Sequence, residues 1–414
     1  MAHNKKKVLI LSDDYLPAST RNHAKMLHEL ALKFVEEGHD VVVLTPGCEQ
    51  QRRLLTFDEI EGVVIWRFRA SDIRGGGKLW RVFHEILLPL RCFVAVKMNG
   101  AASKNKFDIC INYSPSIFFA PIAWLYAKKG SFIYLILRDF FPQWLVDQGI
   151  LHNSSITTKF FRLIEHLNYR ISDIIGVQSP ANQIVFRRMY NGAADVRTLM
   201  NWSDQGPLFP GALDQKKIVR AELKIGFKKV LFFYGGNIGL AQDCSNILRL
   251  AEKFISNPNV HFLLVGQGNQ FDQVREAIAQ KQLSNVTLLP SVPQELYRRY
   301  LSCADVGLFS LAMSHTAHNF PGKLLGYMAE EIPILGIVNS GNDVAEFINQ
   351  SGSGFVSISS DEEQFFSNAS LLAHNKKKRT LMGQNAARLL KESFSVEMAY
   401  QSIHSAYIEQ EFKN

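Results

Sequence analysis

Apolar residues along this chain come in short unbroken runs separated by stretches of helical period. Val8-Leu9-Ile10-Leu11 is such a run; a loop follows, then a helix predicted over about Asn22 to Glu37, which Gly38 stops. Val41-Val42-Val43-Leu44 is the next run, and further strands are predicted at 63–68, 107–112, 131–137 and 173–177, with helices between them. Runs that do not alternate with polar residues mark strands covered on both faces. Strand, helix, strand in series builds a parallel, doubly wound sheet.

Segment 203–213, with two prolines and two glycines, interrupts the series, and a basic stretch at 216–229 follows. The pattern then restarts with strands predicted at Val230–Tyr234, Val260–Val265, Val286–Leu289, Val306–Phe309, Ile334–Ile337 and Gly354–Val356. The expected organisation is an α/β domain over 1–205, a second over 206–395, and a terminal helix within 396–414 free to cross back to the first. Two doubly wound domains facing across a cleft would bind a ligand at the carboxyl ends of their strands.

Composition narrows the class. The 414 residues are long enough to bury their cores without a disulfide or metal staple. Five cysteines lie far apart, with no CxxC and no Cys/His cluster, which argues against a disulfide scaffold or a zinc site and fits a reducing cytoplasm. The apolar run after the basic start is too short for a signal peptide, and no run is long enough to span a membrane. The net charge of +8 is uneven: between Arg67 and Lys106 nine basic residues face two acidic ones. Such clustering suggests an anionic surface or a phosphate-bearing ligand.

Four segments after strands are candidates for chemistry. Gly235-Gly236-Asn237-Ile238-Gly239 would let backbone approach a diphosphate, with a helix amino terminus expected behind it. Asn319-Phe320-Pro321-Gly322-Lys323 opens a predicted helix, Leu324–Glu330, and sets a cation where an anion would sit. Arg138-Asp139 ends one predicted strand. Thr20 and Arg21 follow the first. Against each stands a plainer reading: a tight turn, a solvated lysine, a structural ion pair, a helix cap. His315 and His318 precede the Lys323 helix and read as solvated or ligand-adjacent rather than as metal ligands. Residues 78–97 read as an amphipathic helix, with Lys78, Arg81, His84, Glu85 and Arg91 on one arc and Leu79, Phe83, Ile86, Leu90, Phe93 and Val94 opposite. It is expected to lie at an interface.

The segments YLPASTRNHAKMLHEL (15–30), YLILRDFFPQWLVDQG (134–149), IGVQSP (175–180), FYGGNIGLAQ (233–242), NFPGKLLGYM (319–328) and VNSGND (338–343) together resemble the retaining GT-B glycosyltransferases often called family four. Within that group the chain is most similar to bacterial L-fucosamine (N-acetyl-L-fucosamine) transferases of O-antigen and capsule synthesis. The resemblance implies a GT-B fold and a UDP-sugar donor, in the sub-group a UDP-linked N-acetylamino-deoxyhexose. It implies Gly236, Asn237 and Gly239 along the diphosphate, Gly266, Gln267 and Gly268 near the base, and Pro321, Gly322 and Lys323 at the phosphates. Arg138 and Asp139 stand where relatives carry a His-Asp pair facing the transferred sugar, and Thr20 and Arg21 border the acceptor. Two family glutamates are replaced by His318 and Gly326, and the Arg and Lys usual after the glycine loop by Asn237 and Gln242.

The expected activity is metal-independent transfer with retention onto a lipid-diphosphate-linked saccharide, by a peripheral protein on the cytoplasmic face of the membrane. No cofactor and no nucleic-acid partner are expected. The alternatives are a UDP-sugar epimerase on the same fold, or a non-catalytic partner of another transferase.

Overall fold

A computed structural model describes residues 5–17, 19, 22–70, 78–114, 116–147, 151–192, 194–204, 206–209, 213–313 and 320–412. It divides into two compact units, Met1–Met200 with Val396–Asn414, and Asn201–Ser395.

The first unit holds a sheet of β1 (Lys7–Leu11), β2 (Asp40–Pro46), β3 (Leu55–Ile60), β4 (Val63–Phe68), β5 (Ile109–Ser114), β6 (Phe132–Leu137), β7 (Ile174–Val177) and β8 (Asp195–Thr198). Their order is β3-β4-β2-β1-β5-β6-β7-β8, parallel except for the β3–β4 hairpin. The strands expected from apolar runs are the inner ones. β3 and β8 were not expected: LTFDEI is mostly solvent-facing and DVRT buries one residue, so neither presents a buried apolar run. The helix Asn22–Glu36 ends where Gly38 takes φ +88°, a left-handed stop that glycine adopts without strain. The terminal helix Val396–Glu411 lies in this unit, held by Lys33–Glu397 and Lys6–Glu411 ion pairs and by Phe34 edge-on to Tyr400.

The second unit holds β9 (Val230–Asn237), β10 (Val260–Gln267), β11 (Val286–Pro290), β12 (Val306–Ser310), β13 (Ile334–Val338) and β14 (Gly354–Ile358). All are parallel, in the order β11-β10-β9-β12-β13-β14. Phe232, Phe262, Leu264, Val306, Leu308 and Leu335 form the middle of its core.

The helix at Lys78–Met98 forms as expected but turns a different face inward. His84, Leu88, Cys92 and Ala95 are buried, on the arc read as polar, while Leu90 (59% exposed) and Phe93 (39%) point outward. This helix thus buries His84, Leu88, Cys92 and Ala95 and leaves Leu90 and Phe93 facing outward.

Candidate functional site

The glycine segment is more regular than its composition suggests. β9 runs through Gly235 and Gly236 to Asn237 and pairs in register with β10, so Gly236 faces Gly266 and Asn237 faces Gln267. A Cβ on Gly266 would run into the Gly236 carbonyl oxygen, and one on Gly268 into that of Ile238. Gly236 itself sits at φ +123°, closed to L side chains. The sequence thus requires glycine at each of these positions for backbone to meet backbone at the carboxyl edge of the sheet.

The expected helix amino terminus does not stand directly behind Gly239. A 3₁₀ turn, Leu240–Gln242, intervenes and the helix begins at Ser245. Asn237 and Gln242, in the places of the family's Arg and Lys, hydrogen-bond each other at 2.7 Å. Gln267 accepts a hydrogen bond from the Ser291 hydroxyl at 2.8 Å.

Lys323 opens the helix Lys323–Ala329, one residue earlier than expected. The amides of Leu324 and Leu325 already donate to the carbonyls of Pro321 and Gly322, so the cation to offer an anion here is the Lys323 ammonium. Its Nζ is buried although the residue as a whole is only partly so, and among the described residues Nζ has no hydrogen-bond partner. Nζ lies 3.6 Å from the centroid of the Tyr234 ring and within 3.5 Å of where a Cβ on Gly236 would stand. Burial drives its pKa down to about 7, with the nearby Cys244 pulling weakly upward. A buried ammonium with no acceptor is costly, and a cation–π contact offsets only part of that cost. Its position against the one glycine of this loop with positive φ suits a phosphate oxygen as the missing acceptor.

In the first unit Arg138 and Asp139 follow β6. The Arg138 guanidinium is buried and donates to the carbonyls of Leu199 (2.6 Å) and Met200 (3.4 Å), while its own carbonyl accepts from Gln178. Burial pushes it down to about 10, against the pull of Tyr113, Tyr134 and Asp139. Asp139 is half-buried, and burial raises its carboxyl above the usual range while Arg138 opposes the rise. Arg138 therefore braces the chain that carries Asp139, its charge favouring the Asp139 carboxylate. Close by, His23 stacks on Tyr113 and lies 3.9 Å from Asp13 and 4.0 Å from Asp14, a polar cluster at the ends of β1 and β5 that sequence reasoning did not assemble. Thr20, Arg21, His315 and His318 lie outside the described residues.

The second unit thus brings together Gly236, Asn237, Gly239, Gly266, Gln267, Gly268 and Lys323, with Gly322 open to solvent beside it. Tyr234, which carries the lysine, was read only as the end of an apolar strand.

Residues 215–389 match the family model described as glycosyl transferases group 1. The probable glycosyltransferase WbjE of Pseudomonas aeruginosa is 25% identical over 262 residues, covering 63% of this chain and 64% of that protein. The putative colanic acid biosynthesis glycosyl transferase WcaI of Escherichia coli (strain K12) is 23% identical over 342 residues, 78% of this chain and 81% of that protein. Among solved structures, Anabaena HepE in complex with UDP and glucose superposes with a TM-score of 0.65 at 14% identity, covering 97% and 98% of the two chains. The chain carries the two-unit GT-B fold, and most of its second unit is similar to the group 1 glycosyl transferases.

Proposed function

We propose that this protein is a retaining glycosyltransferase of bacterial surface polysaccharide synthesis. It takes a UDP-linked sugar, of the N-acetylamino-deoxyhexose class, and transfers it to a lipid-diphosphate-linked saccharide at the cytoplasmic membrane face. The observation that carries this reading is the buried Lys323 ammonium, without an acceptor among the described residues, set beneath Gly236 at the carboxyl ends of β9 and β10. The likeness to WbjE supports the activity class, that to WcaI the pathway class, and HepE's complex with UDP and glucose the donor class.

In this mechanism the sugar–phosphate bond breaks and the electron pair stays on the departing UDP. Lys323 stabilises the charge that develops there. The acceptor oxygen attacks from the same face, and its proton passes to the departing phosphate, so the configuration is kept. Gly236, Asn237 and Gly239 hold the diphosphate, Gly266, Gln267 and Gly268 the base end, and Pro321 and Gly322 the approach to Lys323. Asp139, on the chain that Arg138 braces, is assigned to hydroxyls of the transferred sugar, and Thr20 and Arg21 to the acceptor.

Membrane contact is assigned to the Lys78–Met98 helix, with its outward Leu90, Phe93 and Met98. No described helix is long and apolar enough to cross a membrane.

The test is a panel of nucleotide sugars screened by thermal stabilisation, then supplied to the enzyme with a lipid-linked acceptor. UDP-sugars should stabilise, and one should be consumed only when acceptor is present. Conversion of a UDP-sugar without acceptor would mark the epimerase reading instead.

A further inference from the structure

Successive residues of a strand point to opposite faces of the sheet. At the end of β9, Tyr234 and Gly236 share one face, and both meet Lys323. Phe233 and Gly235 share the other, and both meet Tyr297. The Tyr297 ring packs edge-on to Phe233, with centroids 5.6 Å apart and planes at 69°. Its hydroxyl lies against Gly235, so closely that a Cβ there would collide with it. Among the described residues that hydroxyl has no hydrogen-bond partner, although burial of the side chain holds its pKa well above the usual value.

The surrounding elements place this hydroxyl at the ligand-binding edge. β11 ends at Pro290 and the helix Gln294–Ser302 starts just beyond it. The first turn of that helix, with Tyr297, is therefore at the carboxyl edge of the sheet. Leu301, one turn further on the same helix face, meets the position of Gly326 at 3.2 Å from an ideal Cβ. Gly326 sends no side chain toward this helix, so no side chain from position 326 competes for what the Tyr297 hydroxyl could reach.

β9 is thus flanked at its end by a cation on one face and a neutral hydroxyl on the other. A nucleoside diphosphate needs both: its phosphates carry charge, and the ribose beside them carries hydroxyls that donate and accept. We propose that the Tyr297 hydroxyl binds a ribose hydroxyl of the nucleotide donor, across β9 from Lys323. The contact rests on the donor reading above. It makes Tyr297 a binding residue that distinguishes ribonucleotide from deoxyribonucleotide donors, with no part in bond breaking.

The experiment is calorimetric titration of the full-length protein and its Tyr297→Phe variant with UDP, 2′-deoxy-UDP and 3′-deoxy-UDP. Phenylalanine keeps the packing on Phe233 and removes only the hydroxyl. A neutral hydrogen bond of ordinary strength predicts about threefold to tenfold weaker UDP binding by the variant. The wild type should bind one deoxy analogue about that much more weakly than UDP, and the variant should bind that analogue and UDP alike. In turnover, the donor KM should rise with kcat nearly unchanged, a split that loss of packing would not produce. Equal UDP affinity in wild type and variant overturns the contact, as does a weakened variant that still discriminates fully against the same analogue. A wild type that binds no UDP overturns the donor reading itself.

Discussion

Replacing Lys323 by methionine should make the empty protein more stable and the enzyme nearly inactive. Methionine is close to lysine in length and can lie against the Tyr234 ring, so the change removes charge with little change of volume. The buried ammonium titrates near 7 in the folded state, against an ordinary 10.5. That difference corresponds to roughly 5 kcal/mol between the protonated and neutral forms. Because the folded-state pKa is depressed, the unfolded chain binds more protons between pH 7 and 10.5, and wild-type stability gains from this group as pH rises through that window. Below pH 7 the cost of the buried charge is fully present; above 10.5 it has gone. The assay is urea unfolding of both proteins at pH 6 and at pH 9.5. The methionine variant should exceed the wild type by several kcal/mol at pH 6, and most of that gap should close by pH 9.5. Transfer should fall about 10²- to 10³-fold, as when a stabiliser of a developing oxyanion is lost. A variant less stable than wild type at both pH values would refute the burial argument. Near-normal transfer would refute the assignment of Lys323 to the leaving phosphate.

Three other outcomes follow from the same geometry. Gly236→Val should abolish UDP binding in calorimetry while circular dichroism stays native, because a side chain there meets Lys323 and the backbone is at φ +123°. Leu90→Glu with Phe93→Glu should release the protein from anionic vesicles in a sedimentation assay and spare transfer to a short-chain soluble acceptor; co-sedimentation equal to wild type would remove this helix from the membrane account. Arg138→Lys should lower the unfolding free energy by about 1–3 kcal/mol, because lysine cannot reproduce the guanidinium's two carbonyl contacts, and should reduce kcat by misplacing Asp139.

The inner strands of both sheets could be read from the sequence because burial on both faces leaves continuous apolar runs, as in Val8–Leu11 or Phe132–Leu137. β3 and β8 could not, since these edge strands carry charges such as Asp58, Glu59 and Arg197, whereas β11 and β14, also at an edge, keep apolar runs. Lys323 was legible because NFPGK breaks an apolar pattern just before a helix. Tyr234 and Tyr297 were not, since an aromatic residue in an apolar context looks like core until its contacts are known. The Lys78–Met98 helix shows a further limit. Its periodicity located the element, but the face it turns inward carries His84 beside Leu88, Cys92 and Ala95 while Leu90 and Phe93 face outward, which hydrophobicity alone does not encode.

The most direct test of the donor site is UDP binding at pH 8, measured by calorimetry in two buffers of different ionisation enthalpy. With a pKa near 7, Lys323 is mostly neutral in the empty protein at this pH, and a bound diphosphate should return it to the charged form. The account predicts uptake of close to one proton by the wild type and about none by Lys323→Ala, which should also bind UDP far more weakly. UDP binding by the wild type without proton uptake, or equal UDP affinity in the alanine variant, would contradict it.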